Sequence, residues 1–244
     1  RFMRRTKIIC TMGPATDNED VLRDLMLNGM DVARLNFSHG SHEEALERIN
    51  RIKKVRDELN IPVAILLDTK GPEVRIKDFK EGKVELKEGQ KFTLCTDDVV
   101  GDENQVSITY ANLPNDVKVG SKILIDDGLI EMEVISVKNS KILCKVKNGG
   151  VVSNKKGVNV PNVALSMPYM SQKDIDDILF GIEQDVDFIA ASFVRTADDI
   201  REIKTLLRDN GGRDIRIIAK IENAEGVDNI DDIIRETHGI MVAR

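Results

Sequence analysis

Two opposite charges stand two residues apart, Lys220 and Glu222, inside the stretch IIAKIENAEG at 217–226. The apolar opening of that stretch reads as a buried strand, and strand side chains two apart project to the same face. A buried strand seldom carries charge on an inner face, because unpaired charge is costly to desolvate. Asn223, Ala224 and Glu225 lead through Gly226 into a helical pattern, so the pair sits where a strand hands over to a helix. In parallel α/β folds that carboxyl end of the strand is where active sites are built. Two chemistries fit: a structural ion pair, or a metal-binding carboxylate beside an ammonium that stabilises a phosphate or an enolate.

Similar groups recur at the ends of other apolar runs. ARLNFSHG at 33–40 brings together Arg34, the oxygen donors Asn36 and Ser38, and His39. LLDTKGPEVR at 66–75 adds Asp68 and Thr69. Taken singly, each has a plain structural reading: Asp68 and Glu222 as strand-end caps, Arg34 as a salt-bridge partner, Lys156 as a solvated loop charge. His39 and His42, three apart across a turn, do not read as a metal pair; His238 reads as a surface or cap residue and Cys10 as core.

The elements that must position these groups alternate between strand and helix. Strands are predicted over 6–11, 31–36 and 63–67. Thr16-x-x-Glu19 reads as a capping box opening a helix with Val21, Leu22, Leu25 and Met26 on one face and Gly29 at its end. Ser41-x-x-Glu44 caps a second helix, with Leu46, Ile49, Ile52 and Leu59 on one face and Pro62 beyond it. From 73 to 166 no convincing helical period remains. Short β-rich runs at 91–96, 105–110, 122–125, 129–137 and 141–146 are separated by turn signals such as Asp127-Gly128 and Asn148-Gly149. This predicts a small all-β domain, a closed or nearly closed barrel.

The alternation then resumes. Ser171-x-x-Asp174 opens a helix with Ile175, Ile178, Leu179 and Ile182, and strands follow at 187–191, 216–221 and 239–242. Between them lie helices at 198–208, with Ile200, Ile203 and Leu207, and at 227–235. The pattern is that of βα units with one insertion, a (β/α) barrel or an open doubly wound sheet, divided as 1–70, 71–167 and 168–244. Outside the insertion about 150 residues remain, against about 250 for eight units at roughly 30 each. They supply five units and a sixth strand, which leaves the first and sixth strands as sheet edges.

Composition excludes several function classes. Hydrophobic residues make up 41% and charged residues 32% of the 244, ordinary for a globular protein. A net charge of -6, 4% aromatics and no Trp argue against a nucleic-acid binder. Cys10, Cys95 and Cys144 lack metal-ligand spacing and read as reduced thiols of a cytoplasmic protein. The apolar run after the basic start is too short for a signal peptide, and no stretch approaches a membrane span. Met3 is expected to be the initiator, with Arg1 and Phe2 ahead of the native start.

The order CTMGPAT, ARLNFSHG, DTKGPE, NKKGVNVP, AKIENAEG and IMVAR resembles pyruvate kinases of the bacterial type from about Lys7 onward. The resemblance implies an α/β fold: a (β/α)8 TIM-type barrel, incomplete in this chain, with an inserted small all-β barrel acting as a lid. It implies phosphoryl transfer between phosphoenolpyruvate and ADP, giving pyruvate and ATP, with Mg²⁺ (or Mn²⁺) and K⁺ as cofactors. Arg34 would hold the substrate phosphate. Lys220 would stabilise the phosphoryl group in flight and the enolate left behind. Asn36, Ser38, Asp68 and Thr69 would ligate K⁺, Glu222 would bind Mg²⁺, and Asn36, His39, Arg75 and Lys156 would face the nucleotide. Glu73 goes with K⁺ dependence in such proteins. Hard oxygen donors suit these ions, and phosphoryl transfer asks mainly for alignment and charge neutralisation.

The sequence departs from the family where IMVAR ends. The family continues with Gly-Asp-Leu-Gly, whose Asp is a second Mg²⁺ ligand, then a Thr linked to enolpyruvate protonation, and later a domain with effector sites and much of the tetramer contact. The expectation is therefore an amino-terminal piece of a homotetrameric enzyme, weakly active or inactive alone, that would pair with a carboxyl-terminal piece. Another phosphoenolpyruvate or pyruvate barrel, such as a lyase, fits the K⁺ loop and the β insertion less well.

Overall fold

The computed structural model describes residues 4–243; the expected initiator Met3, the two residues before it, and Arg244 of IMVAR lie outside the described residues. The chain runs β1 (Ile9–Thr11), α1 (Glu19–Leu27), β2 (Val32–Asn36), α2 (His42–Leu59) and β3 (Ala64–Asp68). Next come β4 (Val74–Arg75), β5 (Lys83–Leu86), β6 (Lys91–Cys95), β7 (Gln105–Ser107) and a one-turn helix α3 (Leu113–Asp116). Then β8 (Lys122–Ile125), β9 (Ile130–Lys138), β10 (Lys141–Val146), β11 (Gly150–Ser153) and β12 (Gly157–Asn159) follow. The rest is α4 (Gln172–Glu183), β13 (Phe188–Ala191), α5 (Ala197–Asp209), β14 (Arg216–Ile221), α6 (Ala224–Asp228), α7 (Ile230–Glu236) and β15 (Gly239–Val242). Contacts divide the chain into two compact units: Pro72–Pro168 with Asn223–Glu225, and the remainder.

In the α/β unit six parallel strands lie in the order β1-β2-β3-β13-β14-β15. Each is beside its predecessor in that series, so the sheet has no switch point of the kind a doubly wound sheet requires. It is wound one way, as in a (β/α) barrel, and it is incomplete: β1 and β15 form its two edges among the described residues. Alternation sorts the side chains. Ala33, Leu35, Ile65, Leu67, Ile189, Ala191, Ile217 and Ala219 pack into one core with Ile49, Ile52, Ile178, Ile200, Ile203 and Ile233 of the helices. Their neighbours one residue on, including Arg34, Asp68 and Lys220, therefore fall on the opposite face of the sheet.

The helices form where the sequence caps them. Ser41 and Ser171 accept from the backbone N–H of Glu44 and Asp174, with reciprocal bonds back, as the two boxes predict. The first box is different. Asn18 is the N-cap of α1, bonded to the N–H of Asp20 and Val21, while Thr16 closes a 3₁₀ turn onto Gly13. Val21, expected on the apolar face, is exposed. The helix predicted over 227–235 is two helices broken at Asn229. On α4 the fully buried stripe includes Asp174 and Asp177 beside Ile178, whereas Ile175 and Leu179 are only half-buried.

The β unit holds a seven-stranded sheet, β4-β12-β8-β9-β10-β6-β7, and a separate pair, β11-β5. A bridge between Ile76 and Ile108 joins the two ends of the larger sheet and closes it on itself. Lys77 N–H to Ser107 O at 2.7 Å and Thr109 N–H to Arg75 O at 2.9 Å complete the seam. Alternating residues fill the interior, among them Phe92, Leu94, Ile123, Ile125, Met132, Val134, Ile142 and Cys144. The helix α3, unexpected in this region, starts at Leu113-Pro114, where Pro in the first turn gives up an N–H that needs no partner.

Candidate functional site

Strand register brings the polar side chains together. Thr11 pairs with Arg34, Asn36 with Asp68, and Asp68 with Ala190. Ala191 pairs with Ala219, which places Ser192 beside Lys220 one step further on. Asp68 is the centre: its side chain is 1% exposed, and three side chains lie within hydrogen-bond distance of its oxygens. Arg34 Nε donates to its Oδ2 at 2.6 Å, Lys220 Nζ to its Oδ1 at 2.9 Å, and Ser192 Oγ lies 3.0 Å from Oδ1. A carboxyl group buried this deeply needs polar partners, and two cations and one hydroxyl supply them.

Lys220 also donates to Ser192 Oγ at 2.8 Å and lies 3.6 Å from Glu222 Oε1. The strand ends at Ile221, so Glu222 stands just past it, and its other oxygen accepts the Phe193 N–H at 2.7 Å. Phe193 takes a left-handed backbone, φ +53°, to aim that N–H. Arg34 Nη1 donates to Thr11 Oγ1 at 2.8 Å. Two of the five guanidinium N–H groups are engaged this way, which leaves donors for an incoming anion. The cluster sets two cations against two carboxylates, so a polyanionic ligand would need added positive charge.

The β2–α2 loop is anchored through Phe37, whose N–H donates to the Asp68 carbonyl at 2.9 Å. Asn36 Oδ1 accepts the Ser38 N–H at 3.0 Å, and Asn36 and His39 are exposed. Thr69 is buried: its Oγ1 accepts the Ser192 N–H at 3.1 Å and its carbonyl lies 2.6 Å from Ser192 Oγ. In the β unit, Arg75 forms a two-pronged pair with Glu73 and donates to the Lys155 carbonyl at 2.6 Å. The Glu73 bond is the first reason that the guanidinium's pKa is raised. Lys156 Nζ lies 3.1 Å from Asp126. His42 bonds Asp177 at 2.7 Å and stacks on Phe180, and His238 Nδ1 accepts the Ile217 N–H at 3.1 Å.

The donor sets fit the implied ions to the following extent. Of the oxygens assigned to K⁺, those of Asn36, Ser38 and Thr69 are neutral, and Asp68, with Arg34 and Lys220 on two of its roughly four lone-pair positions, is the one carboxylate. That set of mostly neutral oxygens suits a monovalent cation. Glu222 offers a divalent ion one carboxylate, the fewest that such sites use when substrate oxygens complete them. Among the described residues no three His, Cys, Asp or Glu side chains form a metal cluster.

Ser192 and the Phe193 N–H were not singled out from sequence. The signal for Ser192 was present, since a hydroxyl directly follows the apolar strand FIAA as Asp68 completes AILLD. No residue type announces a backbone N–H.

A one-way parallel sheet with its charged side chains gathered at the carboxyl ends of the strands defines an α/β protein of the (β/α)-barrel class. The family model described as pyruvate kinase, barrel domain, matches residues 3–244. The chain is 49% identical over 243 residues to the pyruvate kinase of Clostridium perfringens, covering 99% of this chain and 51% of that protein. The pyruvate kinase of Staphylococcus haemolyticus is 50% identical over 244 residues, with 42% of it covered. That of Geobacillus stearothermophilus is 54% identical over 243 residues, with 41% covered. The chain belongs to the pyruvate kinase family, and it spans about half or less of the length of the curated relatives it matches.

Proposed function

We propose that the whole protein to which these residues belong is a cytoplasmic pyruvate kinase. It moves a phosphoryl group from the enol oxygen of phosphoenolpyruvate to the terminal phosphate of ADP, and the enolate takes up a proton to give pyruvate. The observation that carries this is Lys220, held at 2.9 Å from the buried Asp68 carboxylate that also fixes Arg34. One cation then meets the substrate phosphate (Arg34) while the other stands where charge develops during transfer (Lys220), the electrostatic arrangement this reaction needs.

Glu222 would hold Mg²⁺ or Mn²⁺, and Asn36, Ser38, Asp68 and Thr69 would hold K⁺; these ions supply the positive charge that the neutral cluster lacks. His39 and Asn36, exposed on the β2–α2 loop, and Arg75 and Lys156 in the β unit would meet the nucleotide. These roles, the division at 71–167 and the homotetramer belong to the same proposal. Among the described residues no helix is long and apolar enough to cross a membrane.

A second reading is favoured by Glu222 being the single carboxylate that the site assigns to a divalent ion. In it these 244 residues alone turn over little, and activity returns on mixing with a piece covering the rest of the family's length. The test is pyruvate formation from phosphoenolpyruvate and ADP, by the chain alone and by the mixture. Lys220→Met in the active form is expected to lower turnover by about 10³-fold while nucleotide binding is kept. A variant with near-normal turnover would remove Lys220 from the mechanism, and robust turnover by the chain alone would overturn the second reading.

A further inference from the structure

Helix α4 carries a cation in its first turn, where the helix dipole disfavours it, and a buried acid four residues later, the less favourable order for such a pair. The arrangement is explained by what the two side chains reach. Lys173 Nζ donates to Asp177 Oδ2 at 2.6 Å and to the Phe37 carbonyl at 2.8 Å. Asp177 is 2% exposed, and its other oxygen bonds His42 Nε2 at 2.7 Å. One turn back, Asp174, equally buried, accepts the Gly71 N–H at 3.1 Å. The first turn of α4 thus grips two loops: the one flanking Phe37 with Asn36 and Ser38, and the one that follows Asp68 and Thr69.

We propose that Lys173, fixed by Asp177, is a positioning residue that sets the Asn36–Ser38 backbone for monovalent cation binding, with Asp174 doing the same for the Asp68–Thr69 side. The inference rests on the cation assignment proposed above. Phe37 is the pivot. Its N–H is tied to the Asp68 carbonyl and its C=O to Lys173, so both peptide planes next to the oxygen donors are held.

The test uses the chain as it stands and reads binding rather than turnover. Thermal unfolding is followed against KCl, with tetramethylammonium chloride at equal ionic strength as reference, alongside amide exchange at Ser38 and His39. Wild type is expected to gain stability with KCl specifically. Lys173→Met, whose site is at the half-exposed rim, needs about tenfold more KCl for the same gain and exchanges faster at both amides; Lys173→Arg recovers most of the response. A Lys173→Met variant that responds at the wild-type KCl concentration overturns the inference alone. A wild type indifferent to KCl overturns the cation assignment and this inference with it.

Discussion

Among the described residues the β unit buries two polar side chains, Ser107 and Ser121, and each serves a turn. Ser107 accepts the Val99 N–H and Ser121 the Lys118 N–H. The α/β unit buries Asp68, Thr69, Asp174, Asp177, Ser192 and Asp199. Asp199 closes the first turn of α5, while the other five lie at or next to the strand-end loops. The difference follows from closure. A sheet joined end to end can fill its middle with Phe, Leu, Ile and Val alone, because its backbone pairs along the whole circuit. A parallel sheet leaves strand ends whose N–H and C=O groups need partners, and polar side chains gather there.

The contrast can be tested first where it is largest. Asp68→Ala strands Arg34 and Lys220 without their shared carboxylate and is expected to cost about 3–5 kcal/mol, the range for breaking a buried pair. Phe92→Ala in the β unit should cost a similar ~3–5 kcal/mol through an apolar cavity. Urea unfolding with separate probes for each unit would show one loss in each; an Asp68→Ala protein with unchanged stability would break the comparison. Gly71→Ala comes next. It forces a left-handed φ of +72° on a residue whose Cβ would stand 2.6 Å from the Ser192 carbonyl oxygen. About 1–3 kcal/mol of destabilisation is expected by the same measurement.

Edges give a smaller, sharper contrast. Amides of β1 and β15 should exchange with solvent faster than those of β3 and β13, while β6 and β9, inside the closed sheet, should be protected along both sides. Equal protection across the six parallel strands would contradict the open sheet. The least disturbing test is thiol labelling near pH 8. Cys144, its pKa pushed up to about 12 by burial, stays protonated until the β unit unfolds, whereas half-buried Cys10 on β1 is the first to react. Early labelling of Cys144 would show that the β interior opens.

What sequence revealed depends on how local each signal is. The Ser41 and Ser171 boxes were legible because a cap is written in four residues. The first box misled because Asn18 lies two residues beyond Thr16 and both can cap; the turn at Pro14 claims Thr16 through Gly13. The alternation of β9 and β10 shows in nine and six residues, but β4 and β12 have two and three, too few for any period. Lys220 and Glu222 were readable as a same-face pair. Their meeting with Asp68 was not, because it depends on the register of β3, β13 and β14 across 152 residues of chain. The buried acids of α4 were hidden for a related reason, since a helical pattern of isoleucines drew attention to a face only half covered.

Phe193 has a consequence for anyone seeking to alter the site by mutagenesis. What secures Glu222 is a main-chain proton, offered because one aromatic residue accepts a bend that glycine would take without resistance. Exchanging the aromatic ring for another side chain leaves that proton in place, so a scan of alanines could pass over the position with little sign. Proline would delete the proton outright, and glycine would keep it while loosening the bend. One oxygen of this acid is therefore placed by chain geometry, and only the other by a neighbouring side chain, Lys220.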